Sequence, residues 1–166
     1  SKALLRIAKK ELGDVPLIEG YFETFKLKKK IPLITSFFNS MAYNSNEKQL
    51  MKTIANVYRN LENEGVFIFD IFCTDKPKKV FQVKIFEEQN INFSRTFVGV
   101  PTSKGFKSSM YYVVFDGKNS EIIEETTHRG AFSEKLVKKI LESSSFKILY
   151  VGEGYSKGMS IFVARK

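Results

Sequence analysis

The chain has no tryptophan, one cysteine (Cys73), one histidine (His128) and four prolines. A lone cysteine excludes an internal disulfide and, with it, the disulfide-dense secreted scaffolds, so a reducing, cytoplasmic setting is the expectation. One Cys and one His leave no cluster of ligands for a transition metal, and no metal site is expected. No apolar run approaches the roughly 20 residues that span a bilayer, because Asp70 interrupts the most hydrophobic segment, Val66 to Cys73. The start, Ser1-Lys2-Ala3-Leu4-Leu5-Arg6, lacks the apolar stretch of a signal peptide. A soluble chain without membrane contact is expected. Acidic residues are also scarce, 18 against 27 Lys and Arg, a net charge of +9. Most of the excess is Lys, scattered except at Lys26-Leu27-Lys28-Lys29-Lys30, with no Arg stripe and no regular basic–aromatic interleaving. Nucleic acid is therefore not the expected partner, although a basic nucleic-acid-associated protein remains the third alternative.

What is abundant is apolar and aromatic: 43% hydrophobic residues, with sixteen Phe and seven Tyr among 166 residues. That is enough for one domain, 1–166, burying roughly 70% of its unfolded surface. Leu4, Leu5, Ala8 and Leu12 predict a helix over 2–12, ended by Gly13. Val15 to Glu19 reads as a short buried strand. Ile31 to Phe38 is nearly continuously apolar, the pattern of a strand covered on both faces. Asn46 can cap a helix running from Glu47 to Asn63, with Leu50, Ile54, Val57 and Leu61 as its apolar stripe and Gly65 closing it. Val66 to Phe72 is then a second buried strand, completing a βαβ unit.

Over 79–129 the texture changes to looser alternation around Val80, Gln82, Lys84 and Phe86, then Phe93 to Phe97 and Met110 to Phe115. Asp116-Gly117-Lys118 before Glu121 to Thr127 is a hairpin signal, and the stretch predicts an antiparallel β-meander inserted in the domain. A helix from Ser133 to Leu141 follows, buried through Leu136, Val137, Ile140 and Leu141. Two strands, Phe146 to Val151 and Met159 to Ala164, close the chain around a hairpin turn at 152–158.

Several stretches carry a resemblance. They are Glu19-Gly20-Tyr21-Phe22-Glu23-Thr24-Phe25, then Ile31-Pro32-Leu33-Ile34-Thr35-Ser36-Phe37-Phe38-Asn39-Ser40, and Asn60-Leu61-Glu62-Asn63-Glu64-Gly65 leading into the Val66 strand. Glu124-Glu125-Thr126-Thr127-His128-Arg129-Gly130-Ala131-Phe132-Ser133 and the tail from Gly152 to Ala164 complete the set. In this order they resemble the carboxy-terminal portion of class I S-adenosylmethionine (SAM)-dependent methyltransferases, most of all the nucleotide-sugar N-methyltransferases. The resemblance implies an α/β fold: a Rossmann-like methyltransferase sheet lacking its first strands, with the antiparallel meander inserted. Ser1 would fall just after the family's second strand, so the Gly-x-Gly loop would lie off this chain, which would be incomplete or degenerate.

The resemblance also implies a site. SAM would be the cofactor and a small molecule the acceptor, with an amino sugar the leading case. Tyr21 and Phe22 stand where the family has an acidic and an apolar residue around the adenine; Phe22 can stack on a purine, and Tyr21 brings a hydroxyl but no carboxylate. Phe38, Asn39 and Ser40 would border the methionine end, though Asn39 equally suits a local turn. Pro32 replaces a common Asp, and Asn63-Glu64 replaces the usual Pro-Gly. Tyr43, Tyr111 and Tyr112 are candidates to line the acceptor pocket. His128 has the ionisation range of a base but sits one position off the family's histidine, which on a strand reverses the face. A homodimer is the expected assembly, because a sheet without its first strands exposes backbone and apolar faces. The alternative from another class is a non-catalytic binding or dimerisation module.

Overall fold

The computed structural model describes residues 1–88, 91–103, 105–115, 117–156 and 158–166. Among them the elements run α1 (Lys2–Leu12), β1 (Ile31–Ser36), a 3₁₀ turn (Ser40–Tyr43), α2 (Glu47–Asn60), β2 (Leu61–Phe72), β3 (Val80–Glu88), β4 (Ile91–Thr102), β5 (Gly105–Phe115), β6 (Ser120–Arg129), α3 (Glu134–Ser143), β7 (Lys147–Glu153) and β8 (Met159–Arg165). The strands make two four-stranded sheets, β1-β2-β8-β7 and β3-β4-β5-β6. In the first, β1 and β2 are parallel, and β8 runs antiparallel to both β2 and β7. The second is the antiparallel meander expected over 79–129. Asp116 of its predicted turn, like Lys157 of the closing hairpin, lies outside the described residues; Phe115 pairs with Ser120 across the turn.

The first sheet and two helices hold the core. Leu50, Ile54, Val57 and Leu61 are all buried, as their spacing demands, and Val137, Ile140 and Leu141 of α3 join them. Phe67 and Phe69 project from one face of β2, their rings stacked at 4.6 Å, and Phe69 stacks on Phe162 of β8 at 5.0 Å. Such offset aromatic contacts add about 0.5–1.5 kcal/mol each beyond area burial. Asn46 caps α2 by accepting the Gln49 N–H at 3.0 Å, and Ser133 caps α3 by accepting that of Leu136 at 3.1 Å.

Three expectations are corrected. Val15–Glu19 is not a strand: it joins no strand ladder among the described residues, the Val15 N–H donating back to the Leu12 carbonyl at 3.3 Å; Pro16 offers no N–H, and Val15 and Ile18 are about half exposed. The chain continues instead into a loop fastened to α2 by two buried amides. Asn56 Nδ2 donates to the carbonyls of Phe22 (3.0 Å) and Phe25 (2.9 Å), and Asn60 Oδ1 accepts the Leu27 N–H at 2.9 Å. Second, β1 is not covered on both faces, since Leu33 is 49% exposed and one edge of the strand is open. Third, α2 stops at Asn60, not Asn63. Between Ile31↔Leu61 and Leu33↔Val66 the register shifts, so 62–65 bulge out of β2, with Glu64 at φ 61°. Pro32 sits opposite that bulge, where a missing N–H breaks no regular ladder.

Helix α1 forms as predicted but buries none of its residues; Leu4 and Ile7 are more than half exposed. No helix among the described residues is long and apolar enough to cross a membrane.

The two sheets meet at a narrow seam. Cys73 bridges to Phe132, the Thr74 N–H donates to the Phe132 carbonyl at 2.8 Å, and the Gly130 N–H donates to that of Ala42 at 2.8 Å. A Cβ on Gly130 would collide with the Phe132 ring and the Asn44 carbonyl. Gly130→Ala should therefore lower stability by about 1–3 kcal/mol, the range for overpacking. Chemical denaturation against the parent chain measures it.

Candidate functional site

Beyond the carboxyl end of β1 the backbone turns through two consecutive left-handed residues, Phe38 (φ 59°) and Asn39 (φ 58°). Bulky residues seldom adopt this region, and each such position costs about 1–3 kcal/mol unless its surroundings hold it there. Asp70 does the holding. Fully buried on β2, its carboxylate accepts the N–H groups of Phe38 at 2.9 Å and Asn39 at 2.5 Å. Asn39 Oδ1 accepts the Phe72 N–H at 2.9 Å, and Ser40 Oγ donates to the Phe37 carbonyl at 2.7 Å. Tyr155 lies alongside, its ring 5.7 Å from that of Phe38; desolvation, then the Asp70 charge, pushes its phenol pKa up.

This turn leads into the 3₁₀ turn, where Met41 and Ala42 are buried and Asn44 is locked by the Thr53 hydroxyl at 2.6 Å. A cavity of about 370 Å³ opens between the sheets above it. Asn39 and Phe72 line one side; Gln82, Phe97, Ser108 and Arg129 of the meander line the other. At its edge the Arg129 guanidinium lies 4.8 Å over the Tyr43 ring and donates to the Tyr43 hydroxyl at 3.2 Å. A second, more open groove of about 290 Å³ runs between the 18–27 loop, β1 and α2, lined among others by Tyr21, Phe22, Ser36 and Thr53.

The expected site residues thus divide. Asn39 lines the cavity and Tyr43 stands beside Arg129 at its edge. Tyr21 (79% exposed) and Phe22 belong to the groove. Phe38 is 82% exposed and turned toward Tyr155, while the Ser40 hydroxyl is taken up by the turn. Strand alternation sorts the rest. On β5, Phe106 and Ser108 face the cavity, so Tyr112 shares their face farther along, its hydroxyl donating to Met110 Sδ at 3.4 Å. Tyr111 is on the opposite face. On β6, Arg129 faces the cavity; His128, paired with Lys107, is exposed on the other side. The structure therefore brings neither Tyr111 nor His128 to the cavity, and the single-residue offset is the physical reason for His128.

Sequence reasoning missed Asp70 and Arg129. The signal for Asp70 was present: one carboxylate inside an apolar strand must find donors or pay heavily for burial. Arg129 gave a weaker one, a polar residue in alternation with Thr127 just before a glycine.

No family profile and no curated protein matches the sequence. Solved structures do match. DesVI from Streptomyces venezuelae aligns with a TM-score of 0.89 at 20% identity, over 99% of this chain and 70% of that one. SAM-bound CalS10 from Micromonospora echinaspora, an amino pentose methyltransferase of calicheamicin biosynthesis, gives 0.86 at 16% identity, over 99% and 70%. The sugar N-methyltransferase KedS8 from Streptoalloteichus gives 0.84 at 15% identity, over 100% and 69%. The chain has the methyltransferase fold. The match takes in both the mixed sheet and the meander.

The Asp70 contacts predict the consequence of disturbing them. Asp70→Asn places an amide donor against a backbone N–H in a buried site and should cost about 2–3 kcal/mol. Thermal and urea unfolding check it, and an unchanged midpoint would show that the turn holds itself.

Proposed function

We propose that the chain is the acceptor-binding part of a SAM-dependent methyltransferase that methylates the amino group of a small molecule, with an amino sugar the favoured acceptor. The observation that carries this reading is the cavity between the mixed sheet and the meander, beyond the carboxyl ends of the parallel pair β1 and β2, where open α/β sheets bind ligands. Structural neighbours that are sugar N-methyltransferases support the choice of chemistry. SAM, when bound, supplies an electrophilic methyl on a sulfonium.

The aromatic surfaces of Tyr21 and Phe22 fit the adenosyl end of such a cofactor, and the Phe38–Asn39 turn its amino-acid end. Asn39 would act through the turn it builds, since its Oδ1 and its N–H already have partners. Among the described residues no carboxylate lines the groove with Tyr21 and Phe22, so ribose and ammonium recognition would come from elsewhere in the protein. The sheet is then the distal part of a Rossmann-like one, with the open edge of β1 facing its earlier strands. Methyl transfer to an amine is an in-line displacement that needs alignment above all. The Tyr43 and Arg129 pair at the cavity edge serves that alignment.

The same chain should form a homodimer through the meander face turned away from the cavity. Phe81 (70%), Ile85 (75%) and Ile122 (73%) are exposed there, with Val83 and Val113 beside them. That patch equally favours the second reading, a non-catalytic dimerisation module.

Thermal shift with SAM separates the two readings. A rise in midpoint at millimolar ligand, growing with its logarithm, is expected, and no shift leaves the module. Sedimentation velocity should show a dimer that Ile85→Lys dissociates; a parent chain that sediments as a monomer removes the assembly from either reading.

A further inference from the structure

Asp70 holds the Phe38–Asn39 turn from the side of the sheet; the closing hairpin meets it from the solvent side. Strands β7 and β8 carry residues 154–158 past the end of β2, where Phe72 pairs with Met159. There Tyr155 brings its ring to 5.7 Å from that of Phe38, tilted by 57°. Its hydroxyl is near enough to Asp70 and to the Phe38 backbone for both to act on its ionisation. Neither ring belongs to the core, and each is more than half exposed.

The hairpin that carries Tyr155 is tied to the same end of β2 as the turn. The Gly154 N–H donates to the Met159 carbonyl at 2.8 Å, and the Met159 N–H to that of Ser156 at 3.0 Å. Gly158, at φ 84°, lies so close to Phe72 that a Cβ would come 2.6 Å from its ring. The Gly158 carbonyl accepts the Cys73 N–H at 3.1 Å, while the preceding N–H, that of Phe72, goes to Asn39 Oδ1. Two successive donors of β2 therefore fix hairpin and turn side by side. A hydrogen bond to a carboxylate strengthens as water is kept from it. Two consecutive left-handed residues that are not glycine persist only where their surroundings hold them.

We propose that Tyr155 is a positioning residue whose ring shields the Asp70 contacts to the Phe38 and Asn39 N–H groups from water, and so keeps the turn in the form presented to the cofactor. The inference deepens the proposed function and rests on it only in calling the turn a cofactor contact. Tyr155 touches no ligand in this role; it acts through Phe38. The ring does the shielding, so phenylalanine should replace tyrosine here and alanine should not.

Amide exchange of the full chain, followed residue by residue by NMR, tests this without any ligand. In Tyr155→Ala the Phe38 and Asn39 amides should exchange on the order of tenfold faster, as one support of a doubly strained turn is removed. The amides of Phe67 and Phe69 within β2 should keep the parent rate. Tyr155→Phe should restore most of the protection, and Tyr150→Ala, a similarly exposed tyrosine on β7, should leave both turn amides unchanged. Should Tyr155→Ala fold poorly, Tyr155→Asn removes the same ring with a residue suited to turns and carries the same expectation. Parent rates at Phe38 and Asn39 in the ring-deleted variant, or a rise shared equally by Phe67 and Phe69, overturn the proposal. Calorimetric titration with SAM keeps the failures apart. Tyr155→Ala should weaken SAM binding on the order of tenfold, as the fraction of chains with the turn formed falls; faster exchange with equal affinity overturns the positioning role. Faster exchange with no SAM binding, even in the parent chain, leaves the hold of Tyr155 on the turn standing and removes the cofactor reading. SAM binding with unchanged exchange does the reverse.

Discussion

The carboxylate of Asp70 is the contact on which the site depends. A buried acid in the middle of an apolar sheet is tolerable only if donors meet it, and the donors here are two successive N–H groups of a turn that the chain would not otherwise adopt. Phe38 and Asn39 take left-handed angles because Asp70 rewards them, and Asn39 returns a hydrogen bond to β2 at Phe72. That exchange extends the pairing of β1 and β2 past the end of the strand and sets where the 3₁₀ turn begins. Met41, Ala42 and Asn44 then pack downward, and Tyr43 is left projecting beside the meander.

The second constraint is the seam between the sheets. Few contacts cross it, and several are backbone to backbone: Gly130 to Ala42, Thr74 to Phe132, and the Cys73–Phe132 bridge. A seam of this kind fixes the angle between two stiff sheets without filling the space between them. The cavity is what remains. Its polar groups come almost entirely from the meander, while Asn39 and Phe72 come from the β1–β2 end, so neither sheet alone contains it.

Exposure is distributed to match. Helix α1 and the 15–22 segment leave Leu4, Ile7, Val15 and Ile18 in solvent, and the outer face of the meander does the same with Phe81, Ile85 and Ile122. Scattered apolar residues on a surface mean little; contiguous ones on a flat sheet face mark contact surfaces. The core itself lies in the other half, where α2, α3 and the stacked Phe67, Phe69 and Phe162 are sealed from water.

The amino-acid sequence by itself determined the elements that obey a period. The α2 stripe, the α3 stripe and its Ser133 cap, the strand from Val66, the closing hairpin and the meander were all legible, because amphipathic periodicity and turn chemistry are local. It also pointed to the methyltransferase fold through the order of those elements. It misjudged Val15–Glu19 and the cover on β1, since whether an apolar segment becomes a buried strand depends on a neighbour that no local pattern names. Only the tertiary structure decided the site. Asp70 and Phe38 are 32 positions apart and Tyr43 and Arg129 are 86 apart, and which of His128 and Arg129 faces the cavity turned on a register set by pairing with β5. Long-range polar contacts of this kind have no period, so nothing in the linear order announces them.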